Sequence, residues 1–160
     1  MAAASTPFIE VSFAPSMALV SHVREFASAF YQHTLQDPDL ISRLGVATHE
    51  LLENAVKHSS DGLTRVRIEL HEEPRTISIR TWNRPTGEHL ETLKQNLEEI
   101  ARSPDPGAHY QVLMRRSAKR AVGSGLGLGR IRAEAEFELR YETHGPEVEV
   151  IAECPVAPGK

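Results

Sequence analysis

Two stretches of the chain hold side chains whose types and spacing suit chemistry. The first reads His49-Glu50-Leu51-Leu52-Glu53-Asn54-Ala55-Val56-Lys57-His58. On a helix, 100° per residue places Glu50, Asn54 and Lys57 in a stripe about 60° wide, with Leu51 and Ala55 round on the apolar side. A carboxylate, an amide and an ammonium on one stripe supply a base, a hard oxygen ligand and a phosphate partner. Mg²⁺ takes oxygen ligands and keeps waters and substrate phosphates, so one Asn oxygen suffices from the protein. The plainer alternative is a solvated face laced by i,i+4 pairs such as Glu53 with Lys57. The second stretch is Gly123-Ser124-Gly125-Leu126-Gly127-Leu128-Gly129, which runs toward a helical pattern. Glycines permit positive φ and close backbone approach, and a helix N-terminus offers N–H groups and a positive dipole end. Together they favour phosphate; a hinge is the alternative. No Gly-Lys-Ser/Thr follows, so this is no P-loop. Nor is it the dinucleotide fingerprint, because Leu128 stands at the third glycine's place and no strand precedes it. Arg115, Arg116, Lys119 and Arg120 cluster just upstream, suited to a γ-phosphate or an acidic partner, or simply to a solvated face.

These residues need a frame, and periodicity supplies one. Phe8 to Phe13 suits a short edge strand. Val20, Val23, Ala27, Phe30 and Tyr31 recur at three and four, which predicts an amphipathic helix from residue 16. Asp37-Pro38-Asp39 breaks it, with Pro38 placed to open a second helix that reaches residue 58 and buries Leu40, Leu44, Ala47, Leu51 and Ala55. Ser59-Ser60-Asp61-Gly62 reads as a turn. Val66, Ile68 and Leu70 then alternate with Arg65, Arg67 and Glu69, and after a turn around Pro74 the pattern resumes through Ile77 and Ile79 to Trp82, an antiparallel pair. Leu90, Leu93, Leu97 and Ile100 mark a helix over 86–102. A loop is expected at 103–107, helices over 109–121 and 131–136, and a last hairpin turning at His144-Gly145-Pro146. This order predicts an α+β fold, a two-layer α/β sandwich with a mixed, mostly antiparallel sheet and helices on one face. The domain spans 8–154, with a loose tail over 155–160.

Composition removes several classes of function. One hundred and sixty residues suit one core, and 18 Lys+Arg against 22 Asp+Glu give a net charge of −4, which argues against nucleic acid as a partner. A single cysteine, Cys154, rules out an internal disulfide framework and a Cys-rich zinc site. No run approaches the roughly 20 apolar residues of a membrane helix, and the start lacks the basic region of a signal peptide. His22, His33, His71 and His144 show no paired metal-ligand spacing, and no Gly-x-Ser-x-Gly elbow follows a strand. A cytoplasmic domain with no membrane contact is the expectation.

Taken together, Glu-x-x-x-Asn-Ala-x-Lys-His on one helix and Gly-x-Gly-Leu-Gly-Leu opening another resemble the N box and G2 box of the GHKL superfamily of histidine-kinase-like ATPases. The short length resembles the stand-alone anti-sigma-factor serine kinases and related partner-switching kinases; the resemblance spans about 8–154. It implies a Bergerat-type sandwich with ATP and Mg²⁺ between the N-box helix and a lid over about 103–124. By that resemblance Glu50 is the general base, Asn54 the Mg²⁺ ligand, and Lys57 and His58 lie near the phosphates. Gly123, Gly125 and Gly127 wrap the phosphates, and Leu126 and Leu128 anchor the lid. The family's G1 box carries an Asp that accepts from the adenine amino group; Thr81-Trp82-Asn83-Arg84-Pro85 stands there instead, with Asn83 at the Asp position. The neutral amide of Asn83 accepts a weaker hydrogen bond than a carboxylate. The implied function is Mg-ATP-dependent phosphorylation of a Ser or Thr on a small antagonist protein. The implied partner is therefore a regulatory protein, an antagonist or a sigma factor, and the resemblance also implies a homodimer. Two alternatives stay open: a non-catalytic module that sequesters a sigma factor or similar regulator, and a histidine-kinase-like half whose phosphoacceptor lies on another chain.

Overall fold

The computed structural model describes residues 6–118 and 125–158. Their elements run β1 Phe8–Phe13, α1 Met17–Thr34, α2 Pro38–Lys57, β2 Asp61–Glu72, β3 Arg75–Arg84, α3 Gly87–Arg102, α4 Pro106–Ser117, α5 Leu126–Ala133, β4 Glu138–His144 and β5 Glu147–Pro155. Side-chain caps explain where three helices begin. Asp37 Oδ1 accepts from the N–H groups of Asp39 at 3.0 Å and Leu40 at 3.3 Å, with Pro38 opening α2. Thr86 Oγ1 accepts from His89 N at 3.3 Å, and Asp105 Oδ1 from Ala108 N at 3.1 Å. Such caps satisfy N–H groups that the first turn leaves without partners. Asp105 also explains why α4 starts at Pro106, inside the stretch expected to be a loop. Helix α5 differs: its N-cap is Gly125 at φ +72°, with no capping side chain. It also starts earlier than the expected 131, so Gly127 and Gly129 are helical rather than loop residues.

The sheet has the order β1-β2-β3-β5-β4, and every pairing is antiparallel. The sandwich is as expected, without the parallel pair that a mixed sheet would contain. Register assigns the two faces. Ile68 lies opposite Ile79, Leu70 opposite Ile77, and Ile79 opposite Ala152. These residues are buried with Val20, Ala27 and Tyr31 of α1 and Leu44, Leu51 and Leu52 of α2 in one core. Tyr31 and Thr48 share a buried hydrogen bond of 2.6 Å that ties α1 to α2. The other face is ionic: Arg67 pairs with Glu10 and Glu69, Arg80 with Glu149, and the Arg65 guanidinium lies 4.0 Å over the Trp82 ring.

Two boundaries differ from expectation. Asp61 and Gly62, read as a turn, open β2, because Ser60 N and Oγ both donate to Arg84 O at 2.7 Å and lay the chain beside β3. At the C-terminus Pro155 closes β5, and Val156 is buried and donates its N–H to Arg75 O at 2.9 Å. The chain is thus tied down past the point where a loose tail was expected.

Candidate functional site

Helix α2 carries Glu50 and Asn54 on its polar stripe, and the fold brings α5 down against Glu50. A Cβ at Gly127 would collide with Glu50 Oε2, so the absence of a side chain lets the first turn of α5 lie on that carboxylate. Its two neighbours in the glycine series lean on other helices. A Cβ at Gly125 would lie 2.9 Å from Asn96 Cγ of α3, and one at Gly129 would collide with Leu113 Cδ1 of α4. The glycines therefore serve three close approaches, to α3, α2 and α4. Leu128 between them is buried, and Leu126 is half-buried. Gly123, Lys119 and Arg120 lie outside the described residues.

Glu50 is only 14% exposed, and Arg130 Nη1 of α5 donates to its Oε1 at 3.2 Å. Arg130 Nε donates to Glu134 Oε2 at 2.7 Å. The Glu134 bond first, and then the Glu50 bond, raise the guanidinium's pKa against the cost of partial burial. Tyr110 of α4 belongs to the same group: burial raises its phenol pKa, with Glu134 next, and Arg130 opposes the rise. Asn54, one turn along α2, makes no side-chain hydrogen bond to a described residue. Lys57 makes its ion pair elsewhere on α2. It is 60% exposed and pairs with Glu53 at 3.5 Å, while His49 takes the other Glu53 oxygen at 2.9 Å. Of the expected basic cluster, Arg116 is held by Glu99 of α3 through two bonds of 2.9 and 3.2 Å, which keep that carboxyl below the usual range.

A second set of polar groups gathers where α2 and β3 end and α3 begins. Asn83 is 2% exposed and shares the inward face of β3 with Thr81 and Ile79. Its amide makes no hydrogen bond to a described residue. Thr81 Oγ1, Thr64 Oγ1 and His58 Nδ1 are buried without partners. The His58 ring packs edge-on to His89 at 4.8 Å between centroids, and burial first, then His89 and Lys57, lower its pKa from 6.5. Each unpaired buried polar group costs about 1–3 kcal/mol. A ligand bearing its own donors and acceptors removes that cost, as a nucleobase does. Thr81, Thr64 and His58 thus offer the kind of unpartnered polar atoms that a nucleobase could meet.

Sequence reasoning missed Arg130, Glu134, Tyr110, Asn96, Thr64, Thr81 and His89. Only the Arg130–Glu134 pair left a local signal, its i,i+4 spacing. His49, Glu50 and Glu53 offer ligand atoms within 4.8 Å of one another, as do Glu142, His144 and Glu149 on the ionic sheet face. In the second group Glu149 is already engaged by Arg80 at 3.0 Å and His144 at 2.9 Å. A cavity of about 470 Å³ lies elsewhere, between the α1–α2 turn and the C-terminal segment, lined by Leu35, Asp37, Arg75 and Val156 and by none of the expected site residues. No described helix is long and apolar enough to cross a membrane.

Residues 13–151 match the histidine kinase-like ATPase domain family, and the chain belongs to it. This is a nucleotide-binding ATPase class, in line with the helix pair and the unpaired polar groups at its ends. The fold is shared with a chain in the crystal structure of the SiaB–SiaC complex from Pseudomonas aeruginosa. That match has 13% sequence identity and a TM-score of 0.67, and covers 92% of this chain and 89% of that one. No curated protein matches the sequence.

Proposed function

We propose that this chain is a cytoplasmic Mg-ATP-dependent serine/threonine kinase of the partner-switching type, acting on a small regulatory protein. The observation that carries the reading is the contact between Glu50 and the first turn of α5 at Gly127. It supports the reading because a carboxylate beside a helix end suited to phosphate is an arrangement that phosphoryl transfer to a hydroxyl can use. In this reading Glu50 takes the proton from the acceptor hydroxyl. The hydroxyl oxygen bonds to the γ-phosphorus as the bond to the ADP oxygen breaks. Asn54 would hold Mg²⁺, which would supply charge neutralisation for the phosphates. Gly125, Gly127 and the α5 N-terminus receive the phosphates, with Gly123 upstream and Leu126 and Leu128 anchoring the lid. Asn83, Thr81 and Thr64 meet the base, and His58, which the resemblance sets near the phosphates, instead joins them in this reading because its ring packs on His89 of α3. The Pseudomonas chain that shares this fold comes from a complex of two proteins, SiaB and SiaC, which supports a protein partner.

The alternative is a non-catalytic module that sequesters a regulator such as a sigma factor. Asn83 in place of a carboxylate favours it, as does Lys57 turned onto Glu53. Calorimetry with Mg-ATP and with ADP separates the two. The kinase reading expects both nucleotides to bind, and transfer to the partner to fall by about 10²-fold in Glu50→Gln. Binding of neither nucleotide leaves the module.

A further inference from the structure

We infer that Arg130 is the positioning residue for Glu50, linking that carboxylate to helix α4. This rests on the reading of Glu50 as the base. A glutamate on a helix face has three rotatable bonds, and a base must point one oxygen at the hydroxyl throughout the reaction. Arg130 Nη1 takes Oε1 at 3.2 Å, and Oε2 is the oxygen lying against Gly127 at the first turn of α5. The arginine thereby turns one specific oxygen toward the phosphate-suited helix end. Arg130 is itself held, because Glu134 takes its Nε at 2.7 Å. A planar fork with both edges engaged has little freedom left, which a lysine ammonium would keep.

The same group reaches α4, which falls within the expected lid. Leu113 and Tyr110 of α4 both touch Gly129, the residue beside Arg130, with Tyr110 Cδ2 3.7 Å from where a Cβ would stand. Burial first, and then the Glu134 carboxylate, raise the Tyr110 phenol pKa, and Arg130 opposes the rise. Arg130 could instead be a plain tie between α2 and α5. The two roles differ in which kinetic constant they move.

The test is Mg-ATP hydrolysis by the full chain, with water standing in for the hydroxyl, beside Mg-ADP affinity and thermal midpoint. The variants are Glu50→Gln, Arg130→Gln, Arg130→Lys and Glu134→Gln. Positioning predicts that Arg130→Gln lowers kcat about tenfold while KM and ADP affinity stay within about twofold. Arg130→Lys recovers part of the loss, because an ammonium still reaches Oε1. Glu134→Gln loosens the fork without removing its charge and lowers kcat about threefold, which keeps the test alive if Arg130→Gln folds poorly. Wild-type or higher kcat in both Arg130→Gln and Glu134→Gln overturns the inference. So does a fall of kcat only in step with ADP affinity and thermal midpoint, the mark of a plain tie. If Glu50→Gln turns over at the wild-type rate, the base reading itself fails, and that result is distinct from both.

Discussion

The two ends of the site differ in how their polar groups are satisfied. At the proposed base end, beside Asn83, the buried atoms Thr81 Oγ1, Thr64 Oγ1 and His58 Nδ1 have no hydrogen-bond partner among the described residues. At the proposed phosphate end, Glu50, Arg130 and Glu134 close their charges on one another. The first end carries a desolvation cost that a ligand relieves, so binding there completes hydrogen bonds. In the proposed reading the second end must exchange partners, because a phosphate there would bring negative charge to a helix end that already faces the Glu50 carboxylate. Affinity should therefore respond most to the base end, and turnover to the phosphate end.

The largest departure should come from Gly127→Ala. The new methyl group meets the tip of the Glu50 side chain, which can swing away, rather than backbone. Alanine also gains about 1 kcal/mol of helix propensity over glycine. Stability should hold or rise while Glu50 is pushed aside, and a displacement of about 1 Å costs on the order of 10²-fold in rate. Gly129→Ala is the contrast, since its methyl group meets Leu113, 2% exposed in the packing between α4 and α5. There stability should fall by about 1–3 kcal/mol. Thermal melts beside turnover assays compare the two, and a destabilised Gly127→Ala with normal turnover would break the comparison.

That pair also shows what the sequence leaves legible. Helix α2 can be read because Asp37-Pro38 and the Leu40–Leu44–Ala47–Leu51–Ala55 spacing are local signals that agree with the tertiary packing. The β2–β3 hairpin is equally plain, its alternation matching a sheet with one apolar and one ionic face. Helix α5 is not, because glycines argue against a helix, and the reason for them lies on α2, α3 and α4. The glycine motif stands out in the sequence, but its contacts depend on three partners distant in sequence. Arg130 and Glu50 are 80 positions apart, and no periodicity reports such a contact. Lys57 is legible both ways, toward phosphate by resemblance and toward Glu53 by i,i+4 spacing; the structure shows the second.

At the base end, Asn83→Asp sharpens the contrast through affinity. An aspartate is acceptor-only and charge-assisted toward an adenine amino group, worth roughly 1 kcal/mol or about fivefold in affinity. ATP and ADP should tighten alike, because the phosphates are untouched, while GTP should lose ground. The ligand-free variant should melt lower, since the new charge is buried with no counter-charge. Titration with the three nucleotides at one ionic strength measures the first effect and melting the second. No gain for adenine nucleotides would mean that residue 83 does not read the base.

The smallest effect concerns pH. Burial first, then His89 and Lys57, lower the folded-state pKa of His58 below the ordinary 6.5. The unfolded chain therefore binds a proton at a higher pH than the folded one. The stability that neutral His58 contributes is fully present above about pH 6.5 and is lost as pH falls from there through the lowered folded value. His58→Gln keeps a hydrogen-bonding side chain but cannot titrate. Its unfolding free energy should fall less than that of wild type between about pH 7.5 and 5.5, with the two proteins differing in slope by less than one proton. Urea unfolding at several pH values measures this. A base seated on the unpartnered Nδ1 should deepen the effect, because it would hold the ring neutral, so the gap between wild type and variant should widen with ADP present. Parallel pH curves with and without ADP would place the nucleobase away from His58, leaving Asn83 and the two threonines as its contacts.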